Sequence, residues 1–328
     1  LGIRFRKDLV DSKYMYFLMK GWEFQHEING RLVTTVQGSI KRADMINIKI
    51  MLPSLIVQKK IASHLWFIET LIEKSRNEHT TFSEYINTIY ESWFLNFDLI
   101  KDKRKGNQPR GISESVAINL VDKFVDSEFG EIPEKWSLMS LSDIATFQNG
   151  YPFSADDWCD EGYPVIKIGS VKPGLVDLNS CSYVGEKSIF NLERFHLNDG
   201  DIVVGMTGYV GETGLVPKSR LQVFLNQRVG RISPSKETYY EFIYATVRNP
   251  AFKHHAETFA SGSAQANISG DNLMKYSIVL PPEDLISTFS SIVAPMIQKI
   301  LNSLSTIEIL INLQNEISPR LISGQLSV

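Results

Sequence analysis

At 328 residues the chain has room for two or three domains. Its hydrophobic share of 43% and charged share of 22% are ordinary for a globular protein, and no apolar run reaches the roughly 20 residues that span a bilayer. Two cysteines, Cys159 and Cys181, are too few for a disulfide framework and point to a reducing cytoplasm, while a net charge of −3 counts against a generic nucleic-acid binder but leaves a local basic face open.

Taken in chain order, residues 1–53 read as the C-terminal part of a globular domain, with a short helix over Tyr14 to Lys20 and a strand over Ile46 to Leu52. Residues 54–100 hold a long helix, running from about Leu55 to Phe97. Residues 101–129 are polar and charged, with Gly106, Pro109 and Gly111, and read as a linker whose basic run Lys101, Lys103, Arg104, Lys105 and Arg110 is solvated. Residues 130–282 read as a complete domain. The spacing predicts a short helix over Leu141 to Phe147 capped by Ser142 or Ser140. It predicts strands at Val165–Ile168, Ile202–Met206, Gly214–Val216 and Val223–Ile232, a helix over Glu237 to Arg248, and a closing strand over Met274 to Leu280. A second long helix, from about Glu283 to Ile322, fills 283–328; Pro295 is expected to kink or restart it, and Pro319 and Gly324 to mark its end. Strands mixed with short helices give an α+β fold: globular domains of mixed sheet and short helices, joined by two long helices.

The sequence repeats itself. Gly38-Ser39, an apolar stretch and Pro53 precede the first long helix, as Gly262-Ser263, an apolar stretch and Pro281 precede the second. Pro53 and Pro281 lie 228 positions apart, as do Phe24 and Phe252, whereas Gly38 and Gly262 differ by 224, the kind of length change that loops absorb. Counterparts of about Glu131 to Val229 do not occur in the first copy, so the chain starts part-way through a repeat. In the first helix Ile61, Leu65, Ile68, Ile72, Ser75, His79, Phe82, Ile86, Ile89 and Trp93 are spaced alternately by four and three. Adding 228 gives Phe289, Val293, Met296, Ile300, Ser303, Ile307, Leu310, Gln314, Ile317 and Leu321. A sustained 3.5-residue period predicts a coiled coil roughly 50 Å long; two amphipathic helices on separate domains are the plainer alternative.

The motifs carry little chemistry taken singly. The glycine cluster from Gly205 to Gly214 lacks the Gly-Lys-Ser/Thr of a phosphate loop and is flanked by strands, so it reads as tight turns in a hairpin that carries Thr207 and Tyr209 outward. Asn226-Gln227-Arg228 lies in a strand region; Arg suits guanine and Asn or Gln adenine, but the trio serves equally as a structural hydrogen-bond cluster. The stretch Ser261 to Asn267 is a small, polar loop able to approach a phosphate backbone, and its first-copy equivalent, Gln37 to Arg42, is more basic. Lys253-His254-His255 follows a helix and has no metal-site spacing around it. No nucleophile–base arrangement or clustered carboxylate pair is legible, which leaves open groups that only the fold would bring together.

In combination these residues resemble the DNA-specificity (S) subunit of type I restriction–modification systems. The resemblance rests on the run Asp126 to Trp136, on Asn226-Gln227-Arg228, and on the stretch Gly262 to Ile268. It rests also on the Leu280-Pro281-Pro282 lead-in to a helix, on Arg320 to Leu326, and on Leu52-Pro53, Gln58 to Ala62 and Trp93 to Phe97, and so spans nearly the whole chain. Family members usually carry two whole target-recognition domains, and this sequence has the last third of the first and all of the second. The resemblance implies two domains held apart by an antiparallel pair of long helices, each reading a short half-site of a bipartite target in double-stranded DNA. It implies two methyltransferase subunits and restriction subunits as partners, with S-adenosylmethionine, ATP and Mg²⁺ on those partners and no catalysis, cofactor or metal in this chain. Self-association could complete a second half-site, and no membrane is involved. The candidate DNA contacts are Lys167, Lys172, Thr207, Tyr209, Arg228, Ser263, Gln265 and Asn267, with Lys41 and Arg42 in the first copy. The rival reading is a coiled-coil interaction scaffold with no DNA role.

Overall fold

The computed structural model describes residues 3–31, 42–128, 130–260 and 266–327. It divides into two compact units, Leu1–Arg76 with Thr306–Val328, and Asn77–Ser305. In chain order the helices are α1 (Ser12–Lys20), α2 (Trp22–Asn29), α3 (Arg42–Ile46), α4 (Leu55–Tyr90), α5 (Asp98–Arg104), α6 (Glu114–Asn119), α7 (Tyr240–Arg248), α8 (Pro250–Ala260), α9 (Gly270–Met274) and α10 (Glu283–Ile322). The strands are β1 (Phe124–Ser127), β2 (Gly130–Pro133), β3 (Ser137–Ser140), β4 (Ala145–Asn149), β5 (Trp158–Cys159), β6 (Tyr163–Ile166), β7 (Val171–Lys172) and β8 (Gly174–Val176). They continue with β9 (Ser182–Val184), β10 (His196–Leu197), β11 (Ile202–Gly205), β12 (Thr213–Leu215), β13 (Val223–Leu225), β14 (Val229–Pro234) and β15 (Ser277–Leu280). The fold is α+β, and none of the described helices is long and apolar enough to cross a membrane.

The larger unit is built on two sheets. A six-stranded sheet has the order β4-β14-β11-β12-β8-β7 and a five-stranded one the order β10-β13-β6-β9-β5. Successive side chains of a strand point to opposite faces, and β11 shows what that does here. Val203 enters a cluster with Ile166, Val223 and Leu225 of the five-stranded sheet, so the two sheets pack face to face. Ile202 and Val204 point the other way, into the largest core, with Phe242, Phe252, Leu273 and Phe289 from the helices. The outer face of the five-stranded sheet buries Phe153, Val165, Val184 and Phe224.

Several elements differ from the sequence expectation. The helix expected over Leu141 to Phe147 is a three-residue 3₁₀ turn, Leu141–Asp143, closed by a capping box between Ser140 and Asp143, after which the chain extends as β4. Pairing with β14 over five residues outweighs a marginal helix. The strand region from Val223 to Ile232 is two strands in different sheets, with Asn226-Gln227-Arg228 as the turn between them. Lys253-His254-His255 lies inside α8, and His255 Nε2 is 2.9 Å from the Asn272 carbonyl. The segment read as a linker is packed: α5, α6 and β1 form there, and Leu99, Ile100, Ala117 and Leu120 are buried. Lys103 of the basic run donates to the Ala117 and Ile118 carbonyls at 2.8 Å, capping α6 rather than being solvated.

The first long helix leaves regular α geometry at Tyr90, continues as a π-helical turn over Glu91–Leu95, and stops at Phe97, which is left-handed with φ 56°. The second runs unbroken through Pro295 and Pro319 to Ile322, with Gly324 at φ +78° beyond it. In the larger unit Ile86, Tyr90, Trp93 and Phe94 of the first helix and its π turn share a core with Phe289, Val293 and Ile300 of α10, and Phe82, Ile89 and Met296 are partly buried against it. Phe94 and Phe289 meet edge to face at 5.0 Å. In the smaller unit Ile61 and Leu65 of α4 pack with Leu321 and Ile317 of α10, and Gln314 donates to Glu69 at 2.9 Å. Ile68 and Ile72 are buried, while Ile307 and Leu310 are partly exposed. Ile297, Leu301 and Leu304, off the expected seam, are buried in the larger unit's core, because there α10 covers the domain as well as α4.

The smaller unit otherwise holds α1 and α2, packed on α4, and the short α3. Asp11 caps α1 by accepting from Lys13 and Tyr14 amides, and Tyr14, Phe17, Leu18 and Phe24 fill the cluster with Ile61 and Leu65. The buried Gln58 fastens this to the α4 lead-in, accepting from the Asp11 amide and donating to the Leu9 and Pro53 carbonyls. The strand expected over Ile46 to Leu52 does not form: Ile46 ends α3, Ile48 N–H donates back to the Met45 carbonyl at 3.4 Å, and residues 49–52 belong to no strand among the described residues. A strand needs a neighbour to satisfy its amides and carbonyls, and none pairs with this segment among the described residues.

Candidate nucleic-acid interface

Four separate segments of the larger unit converge at one edge of the six-stranded sheet. The chain leaving β11 turns twice, at Gly208 and Gly211, both with φ above +70° where a side chain would be strained. Beneath this loop the buried Glu212 carboxylate accepts from Lys253 at 2.8 Å and from Arg248 at 3.4 Å, which holds the loop's base against α8. The loop is stitched to the segment after residue 265: Gly208 N–H donates to the Ala266 carbonyl at 3.1 Å, and Ile268 N–H to the Met206 carbonyl at 2.9 Å. Met206 N–H in turn donates to the Arg228 carbonyl at 3.0 Å, and Gln227 N–H to the Tyr151 carbonyl at 3.0 Å. Gly150 lets the last pair approach, because a Cβ there would lie 2.2 Å from the Asn226 carbonyl oxygen.

Between these segments lies a cleft of about 330 Å³ lined by Phe147, Asn149, Met206, Gln227, Arg228, Asn267, Ile268, Ser269, Gly270 and Asp271. Its floor is the Phe147 ring. Its rim is polar. The Arg228 guanidinium and the Gln227 amide are exposed and make no hydrogen bond with the described residues. Arg231, three residues on, is the contrast: its guanidinium is committed to Asp201, Gln148 and the His196 carbonyl. Thr207 is buried, and its hydroxyl donates to Asn267 Oδ1 at 2.8 Å, which turns the Asn267 Nδ2 away from the loop. The cleft lining therefore offers donors from Arg228, Gln227 and Asn267, and an acceptor from Asp271 in the first turn of α9, whose N-cap is Ser269.

The structure brings together Arg228, Asn267 and Thr207 of the expected contacts. Tyr209 stands on the same loop with 66% of its surface exposed. Lys172 is exposed on the short edge strand β7, and Lys167 lies over the Trp158 ring, with Nζ 3.5 Å from its centre. Ser263, Gln265 and Lys41 fall outside the described residues, and Arg42 opens α3. Sequence reasoning passed over Phe147, Asn149 and Asp271. The only local signal was the Ser269 N-cap pattern ahead of Asn272, and Phe147 and Asn149 reach the cleft solely through the pairing of β4 with β14.

A second polar cleft, about 410 Å³, is lined by His196, Asn198, Asp199, Ser219, Arg220 and Gln222 among others. His79, on α4, is buried, with Nε2 3.4 Å from the Gly174 carbonyl; burial, with Arg248 close by, holds its pKa below the ordinary imidazole value.

Comparison with known proteins gives a consistent picture. The family model for the type I restriction modification DNA specificity domain matches residues 133–319. The chain is 25% identical over 283 residues to the type I restriction enzyme MjaVIII specificity subunit of Methanocaldococcus jannaschii, covering 84% of this chain but only 61% of that protein. It thus spans less than two thirds of that relative's length. It is 23% identical over 330 residues to the MjaIX specificity subunit of the same organism, covering 98% of this chain and 71% of the other. Among solved structures, the type I restriction-modification S subunit from M. genitalium superposes with a TM-score of 0.50 over 96% of this chain and 74% of that one. At 16% identity that likeness speaks to the fold alone. With the family model matching more than half of its length, the chain belongs to the type I restriction modification DNA specificity domain family.

Proposed function

We propose that this chain is the sequence-reading subunit of a type I restriction–modification complex, and that its larger unit reads one half-site of double-stranded DNA. The observation that carries the reading is the cleft edge at Arg228, Gln227 and Asn267, where unpaired donors stand on a rigidly stitched scaffold. Base edges in the major groove are told apart by their donor and acceptor patterns, and Arg, Gln and Asn are the side chains suited to purine edges. Tyr209 and Lys172 lie outside the cleft and serve the DNA backbone, which positions the protein without reading sequence. Ser263 and Gln265, with Lys41 and Arg42 in the first copy, complete the proposed contacts.

The proposal extends to the assembly. The exposed flanks of α4 and α10 dock two methyltransferase subunits, and restriction subunits join through them. S-adenosylmethionine, ATP and Mg²⁺ act on those partners, and the setting is the cytoplasm. The seam residues keep the helices straight, so that helix length, rather than any contact to DNA, sets the gap between half-sites.

The test is to co-express the chain with its cognate methyltransferase subunit and map N6-methyladenine across the host genome. A bipartite motif with a fixed gap is expected, and a palindromic one would identify two copies of the larger unit as the readers. No methylation, with the partner shown to be folded and bound, would favour a scaffold without a DNA role.

A further inference from the structure

Phe147 is half-buried on the edge strand β4, and its ring fills space left open by two glycines from other elements. Gly230 of β14 sits diagonally across the ladder, since Gly230 pairs with Asn149 and Ile232 with Phe147. A Cβ at Gly230 would fall 2.0 Å from Phe147 Cζ, 2.5 Å from Cε2 and 2.9 Å from Cε1. Gly270 opens α9, and a Cβ there would fall 2.3 Å from Cδ1 and 2.4 Å from Cε1 of the same ring. Neither glycine is left-handed, so the backbone does not ask for glycine at either position. What requires it at both is the space the ring occupies.

The ring thereby fixes a distance. One segment lining the cleft is the turn of Gln227 and Arg228, which leads into Gly230; another is the start of α9, where Ser269 and Asp271 flank Gly270. Backbone hydrogen bonds tie both segments to Met206, at Arg228 and at Ile268. Two residues further along each, at Gly230 and Gly270, both rest on the Phe147 ring. A ring pushed from its place has the large core behind it and the cleft before it.

We propose that Phe147, seated between Gly230 and Gly270, is the positioning residue of the cleft: the size of its ring sets the spacing of Arg228 and Asp271, and through them the discrimination of target from other DNA. This rests on the reading that the cleft meets DNA. Hydrogen bonds to base edges are short and directional, so a misplacement of about 1 Å weakens discrimination. Attraction to phosphates is longer-ranged and changes little. The two glycines separate in their response to a smaller side chain. The ring atoms that a Cβ at Gly230 meets are Cζ, Cε2 and Cε1, which leucine lacks. The nearest atom to a Cβ at Gly270 is Cδ1, which leucine keeps. Phe147→Leu therefore makes room for Gly230→Ala and not for Gly270→Ala.

The test titrates the assembled complex with a duplex carrying the mapped target and with one whose half-site is scrambled, and reads the ratio of the two affinities. Phe147→Leu, Gly230→Ala and Gly270→Ala are each expected to lower that ratio about tenfold, with the scrambled-duplex affinity held within about twofold. Gly230→Ala combined with Phe147→Leu is expected to return the ratio to within about threefold of the natural complex, and Gly270→Ala combined with Phe147→Leu is not. Phe147→Met takes the place of Phe147→Leu as the single variant should the leucine chain fail to assemble. An unchanged ratio in that single variant overturns the proposal. So does a scrambled-duplex affinity that falls in step with the target's, or no recovery in the Gly230 pair. Arg228→Ala, measured alongside, tells the two readings apart. A ratio lowered by Arg228→Ala and not by the Phe147 variant overturns the spacing role alone, whereas a ratio that neither changes overturns the DNA reading of the cleft and the spacing role with it.

Discussion

Arg228 and Arg231 lie three residues apart on one turn-and-strand, yet only the second is spent on structure. Arg231 is fastened by Asp201 and Gln148, and Arg228 is left at the mouth of the cleft. Arg228→Ala is expected to relax the target at one base position, with a loss of about 1–3 kcal/mol in discrimination there and little change elsewhere. Sequencing the methylated motif of the variant complex checks this; a motif unchanged at every position would refute it. His79 offers a test of stability. Its folded pKa is lowered by burial, with the nearby Arg248 acting in the same direction. Above about pH 6.5 the imidazole is neutral both folded and unfolded, and its contribution is fully present. As pH falls below that, the unfolded chain binds a proton that the folded one does not, so stability declines until the lowered folded value is reached. Urea midpoints at pH 7.5 and 5.5 are expected to differ more for the natural chain than for His79→Leu.

At the scale of elements, the junction of α7 and α8 is tied to the end of α4 by one side chain. Asn249 Nδ2 donates to Asn87 Oδ1 and to Glu91 Oε1, both at 3.1 Å, and Glu91 opens the π-helical turn. π turns arise where an element must re-aim its side chains, and here Trp93 and Phe94 enter the core of the larger unit. Asn249→Ala leaves a half-buried carboxylate with one donor fewer, and a loss of about 1–3 kcal/mol in urea unfolding is expected. A cost below about 0.5 kcal/mol would mean that packing alone seats the turn. The elements also divide by how legible they were. The bounds of α10 follow from its 3.5-residue pattern, and its passage through Pro295 follows from burial of Val293 and Ile297 on either side. The strand expected at Ile46 to Leu52 had the right residues but pairs with no strand among the described residues, and strand formation is a property of pairs.

For the whole molecule, a net charge of −3 means that any DNA affinity rests on local charge. Binding by the assembled complex is expected to weaken with salt, with a slope of about −0.9 per phosphate contact. Lys172→Ala is expected to reduce that slope by about one unit and leave the methylated motif intact, the opposite signature to Arg228→Ala. Titrations of a target duplex at several salt concentrations separate the two.

What the sequence by itself determined was the class of fold, the two long helices and the repeat, because helical periodicity and a fixed offset are written along the chain. It also marked Asn226-Gln227-Arg228 and Thr207 as unusual, without saying whether they faced solvent. Only the tertiary structure decided that. Pairing with Ile232 and Arg231 carries Phe147 and Gln148 to β14, a turn between two sheets frees Arg228, and Thr207 is drawn inward to hold Asn267. These contacts join residues far apart in sequence, and which pairs form depends on the burial of whole sheets rather than on any local pattern.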